Sequence, residues 1–95
     1  MNYFTIEETP INPKKYLIKP NFEKLPLYNT EGSYTIIMAR LFNISFANFL
    51  RLCRDEYEAE LVGKNTLYPI PYFKNFDKAK ELIKELEKRI NILLK

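Results

Sequence analysis

The sequence predicts a mainly α-helical domain with a small β hairpin. The expected order is a helix-turn-helix, a wing-like hairpin and a long C-terminal helix, all behind an extended, proline-containing N-terminal arm. Three observations lead there. Pro10, Pro13, Pro20 and Pro26, four of the six prolines, fall in the first 26 residues. The only two glycines, Gly32 and Gly63, bracket one apolar segment. From Phe76 onward, apolar side chains recur at spacings of three and four, the period of one helix face. The 95 residues suffice for one domain, read as an arm over 1–30 and a helix-turn-helix-like body over 31–95.

Each proline of the arm fixes its own φ and pushes the preceding residue out of the α region, so helix is not expected before about residue 30. The apolar groups Tyr3-Phe4-Thr5-Ile6 and Tyr16-Leu17-Ile18 suit edge strands, or an arm that lies on the body or is ordered by a partner. Ser33 is a good N-cap for a helix over 34–42. Asn43 tolerates the left-handed conformation that a tight turn needs, and Ser45 caps a second helix over 46–62. Gly63 would close that helix at the position where only glycine takes positive φ cheaply.

Residues 63–73 read as a short extended hairpin or wing, with Pro69 and Pro71 confining it to a sheet edge. Asn75 caps a last helix over 76–94, with Asp77 complementing its dipole. Phe76, Ala79, Ile83, Leu86, Ile90 and Leu93 form an a/d seam on it. The seam serves either packing on the chain's own core or a homodimer through helix 76–94. Leu82, Ile92 and Leu94 widen the stripe, as intramolecular packing requires.

Composition narrows the chemistry. With no His, no Trp and one Cys, neither a disulfide framework, a zinc finger nor a Cys–His nucleophile can be built. No cofactor or metal is expected, and no catalytic site can be assembled. Cys53, set among Phe49, Leu50 and Leu52, reads as a small buried thiol, and Asp55, Glu56, Glu58 and Glu60 as a solvated acidic face. The N-terminus has neither the basic nor the apolar region of a signal peptide, and no run approaches the roughly 18 apolar residues of a membrane span. A cytoplasmic location is the expectation. The formal net charge is +3, and residues 65–95 carry seven positive and four negative groups. That excess suits an anionic partner.

The segment from Ile37 to Leu52 meets the core requirements of a helix-turn-helix. Ala39 is small where the helices would cross, Asn43 stands four positions later, and Met38, Phe42, Ile44, Phe49 and Leu52 fall on core positions. Ser45, Phe46, Ala47, Asn48, Arg51 and Arg54 would then lie at the exposed start and face of the second helix. With the Gly63-Lys64-Asn65 turn and the Lys74-Asn75-Phe76 helix start, residues 33–90 resemble the winged helix-turn-helix excisionases and MerR-type DNA-binding domains of phage and mobile elements. The resemblance implies an accessory or regulatory protein whose second helix enters the major groove of double-stranded DNA while the wing touches phosphate. Ser45, Asn48, Arg51 and Arg54 would face the duplex, and Lys64 and Lys74 would hold phosphate. Arg40 would join Arg51, Arg54, Lys64 and Lys74 in a phosphate-binding rim, with Tyr68 and Tyr72 beside it.

One feature of the same helix points elsewhere. Phe46, Phe49 and Leu50 leave its first turns little polar surface, and a helix apolar all round is buried in its own fold or against another protein. The second reading is therefore a protein-interaction or inhibitor module with no nucleic acid involved, Phe46, Phe49 and Leu50 meeting a host or partner protein or a second copy and the N-terminal arm completing that surface. Burial decides between the two: if residues 1–30 fully cover Phe46 and Leu50, the apolar objection to DNA falls away.

Overall fold

A computed structural model of the chain describes residues 3–10, 14–21, 34–63 and 69–93. Four strands and three helices follow in the order β1 (Phe4–Glu8), β2 (Tyr16–Pro20), α1 (Tyr34–Leu41), α2 (Phe46–Glu56), β3 (Ala59–Val62), β4 (Ile70–Phe73) and α3 (Phe76–Leu93). The strands form one antiparallel sheet in the order β1-β2-β4-β3. The molecule is thus an α+β domain with its first two strands ahead of the helices. This overturns the expected helix-turn-helix with a projecting wing and a separate arm, while the long C-terminal helix is present as α3. The reason lies in pairing: the arm supplies half of the sheet, and the hairpin β3–β4 joins that sheet instead of projecting as a wing.

The registers show why the first strands are structural. Phe4 pairs with Pro20 and Ile6 with Ile18, which puts these side chains on one face, with Thr5 and Glu7 on the other. Tyr16 pairs with Phe73, and Phe73 with Ala59, which extends the same face across all four strands. Phe4, Ile18, Pro20, Ala59, Pro71 and Phe73 are all buried there. The helices cover this single face, giving two layers around one core. Into that core α3 sends Ala79, Leu82, Leu86 and Ile90, and α1 sends Met38, Ala39 and Leu41.

Proline placement follows from the ladder. The Asn21 N–H donates to Tyr3 O at 2.8 Å and the Thr9 N–H to Lys15 O at 2.9 Å, so bonded pairs alternate from Tyr3–Asn21 and the Phe4–Pro20 pair exchanges no backbone bond. Pro20 costs that ladder nothing. Pro71 was expected to hold its strand at an edge, yet β4 is an inner strand. It is tolerated because β2 and β4 meet at one pair only, Tyr16 with Phe73, leaving few bonds for the missing donor to break.

The second helix ends at Glu56 instead of residue 62. Its last amide bond runs from the Tyr57 N–H to Cys53 O at 3.2 Å, and Glu58 then takes φ 56°, the left-handed turn that sends the chain into β3. Gly63 does have positive φ, at 80°, but it closes a strand and not a helix.

Candidate nucleic-acid interface

The junction before α2 is set by two caps. α1 closes with the Ile44 N–H on Ala39 O at 3.2 Å and the Asn43 N–H on Arg40 O at 3.0 Å, with Asn43 at φ 56°. These are the two bonds of a Schellman cap, with asparagine in the usual glycine position. Ser45 then accepts the Asn48 N–H on its hydroxyl at 3.2 Å, and α2 leaves with its axis bent 91° from α1. The turn fixes which side of α2 faces out.

That side is polar. Phe49 at 0%, Cys53 at 0% and Leu50 at 8% exposure point inward. Ala47, Asn48, Arg51, Arg54 and Asp55 are exposed, and Asn48, Arg51 and Arg54 follow one another at intervals of three along one stripe. The expected interaction trio of Phe46, Phe49 and Leu50 is therefore not a surface: Phe49 and Leu50 are buried and Phe46 is half-buried. The apolar character of α2 is spent on the interior, Phe49 packing 5.6 Å from the ring of Phe42.

Both arginines of the stripe are held from within the helix. Arg51 donates from Nη1 to Asn48 Oδ1 at 3.2 Å. Arg54 grips the neighbouring Asp55 with Nε on Oδ1 at 2.8 Å and Nη2 on Oδ2 at 3.3 Å. The hydrogen bonding from Arg54 pushes the Asp55 carboxyl below its ordinary range, opposed in part by desolvation and helped by the charges of Arg54 and Arg51, and it raises Arg54. Both side chains are more than half exposed, so the pair is an easily exchanged clamp that adds little stability.

Of the other expected residues, Ser45 is exposed and serves as the cap. Lys74 is exposed at the bend between β4 and α3. Lys64 and Tyr68 lie outside the described residues, while Tyr72 is half-buried on the sheet face away from the helices. Arg89 is a further cation that no sequence pattern singles out. Its guanidinium lies 4.2 Å over the ring of Phe42, and its buried Nε makes no hydrogen bond among the described residues. The contact joins α3 to the α1–α2 turn across nearly half the chain, which no local pattern encodes.

Burial pushes the Cys53 thiol up to about 12, far from a nucleophile. Among the described residues no group of three acidic, histidine or cysteine side chains converges to hold a metal. Of the α3 seam, Ala79, Leu86 and Ile90 lie in the chain's own core, Ile83 is half-buried against it and Phe76 is exposed. Among the described residues no single helix is long and apolar enough to cross a membrane. No known protein family, curated protein or solved structure matches the chain.

Proposed function

We propose that the protein binds double-stranded DNA through the exposed face of α2, as a small accessory or regulatory factor. What carries the reading is the division of α2: Phe49, Leu50 and Cys53 buried on one side, Asn48, Arg51 and Arg54 exposed in line on the other. An arginine fork suits phosphate and guanine edges, and an asparagine suits adenine. Ser45, exposed at the start of α2, suits a phosphate contact. Lys74 adds a backbone contact from a neighbouring element. In this binding mode Arg54 exchanges Asp55 for a phosphate, a swap that an exposed ion pair makes at little cost.

Fluorescence anisotropy with mixed-sequence duplexes at low salt tests it. The wild type binds, and the affinity falls steeply as salt is raised. Arg51→Ala and Arg54→Ala each weaken binding by roughly tenfold and flatten the salt dependence by about one counterion. Absence of binding to any duplex at low salt, or affinities unchanged in both variants, rejects the proposal.

A further inference from the structure

β1 stands at one end of the sheet, and the bonds that tie it to β2 fix which of its backbone groups face outward. With Tyr3–Asn21 and Thr9–Lys15 bonded, the alternation assigns Thr5 and Glu7 to the β2 side. The N–H and C=O groups of Phe4, Ile6 and Glu8 therefore point away from the sheet, and among the described residues nothing pairs with them. Sheet edges are ordinarily blunted by lysine, proline or a bulge. β1 has none: its register is continuous over five residues, and its carboxylates are already matched, Glu7 with Lys19 at 2.5 Å and Glu8 with Lys14 at 3.4 Å.

We propose that this edge docks a second copy of the chain, β1 against β1, antiparallel about a two-fold axis at Ile6. The strand is self-complementary in that register. Ile6 meets Ile6 of the partner subunit, a half-buried apolar side chain gaining a like neighbour. Phe4 faces Glu8 of the partner subunit, and Thr5 faces Glu7 of the partner subunit, so no like charges stand opposite one another. Across the short Thr5, Lys19 and Glu7 of the partner subunit share one row, two strand spacings or about 10 Å apart at the backbone. A lysine and a glutamate close that gap with opposite charges. The outward groups of Phe4, Ile6 and Glu8 are those that form closely bonded pairs in this arrangement, and two four-stranded sheets become one of eight strands. A single short strand pair buries less than the 1,200 Å² or so of a standard stable interface. The dimer is therefore concentration-dependent.

Sedimentation analysis from low micromolar to near-millimolar protein tests the dimer, with two substitutions at Thr5, which is exposed on the sheet face away from the helices. Thr5→Glu sets one carboxylate against Glu7 of the partner subunit, twice by symmetry, and weakens the dimer by about tenfold. Thr5→Lys places opposite charges there and tightens it or leaves it intact. Thermal melts of both variants confirm that the monomer fold is retained. A particle that stays monomeric over the whole range overturns the proposal. So does a dimer that responds alike to both substitutions, which would place the contact on another face.

Discussion

Asn43 and Glu58 both hold φ at 56°, and each ends a helix. The first could be read from the sequence, because asparagine is the commonest stand-in for glycine at a left-handed cap and Ser45 follows to start the next helix. The second could not, since a glutamate there carries no such mark and the acidic run over 55–60 looks like continuing helix. A left-handed conformation costs an ordinary residue roughly 1–2 kcal/mol, part of which glycine returns as chain entropy. Glu58→Gly is therefore expected to stabilise the domain by about 1 kcal/mol, and Glu58→Val to destabilise it, as read from urea midpoints. Cys53 gives a second expectation at this scale. With its pKa near 12, the thiol is almost wholly protonated at pH 8. Iodoacetamide should leave it untouched in the native protein and alkylate it once urea unfolds the chain.

At the scale of one element, α2 shows how a helix that looks apolar all round becomes two-sided once its true ends are known. Stopped at Glu56, it presents three buried residues to the core and a polar stripe to solvent. The stripe was legible, because Asn48, Arg51 and Arg54 recur at a helical interval. The clamp of Arg54 on Asp55 was not, since neighbours in sequence need not meet on a helix. The clamp has a pH consequence. The folded-state pKa of Asp55 is depressed, so its contribution is present above the unfolded carboxylate pKa and is lost as pH falls through the folded value. Asp55→Asn should make the acid side of the stability curve slightly shallower. The same substitution removes a negative charge from the proposed interface and frees Arg54. DNA affinity should then rise several-fold at low salt, measured by anisotropy, whereas a bystander role for α2 leaves it unchanged. The cap is independent of both effects: Ser45→Ala should cost about 1 kcal/mol of stability by leaving the Asn48 amide without its acceptor.

Over the whole molecule, the largest departure from expectation concerns residues 3–21. Proline argues against helix there, and the described residues of that stretch hold none, but absence of helix does not distinguish a loose arm from a pair of strands. What decides it is long-range pairing, Tyr16 against Phe73 and Phe4 against Pro20, which leaves no trace at short sequence separation. The consequence is testable by truncation. An arm could be removed and leave 31–95 folded. In the sheet seen here, removal takes away Phe4 and Ile18, both almost wholly buried, and uncovers Phe73, Leu82 and Leu86 in the core. Loss of a single large core side chain costs roughly 2–5 kcal/mol, against a total stability of about 5–15 kcal/mol for an ordinary domain. Two such side chains and a β ladder together exceed what a chain of this size can lose. The fragment 31–95 should therefore melt without a cooperative transition by circular dichroism and show collapsed amide dispersion by NMR. The milder Ile18→Ala should still unfold cooperatively, at a lower temperature. A fragment that melts as sharply as the full chain would return residues 3–21 to the status of an arm.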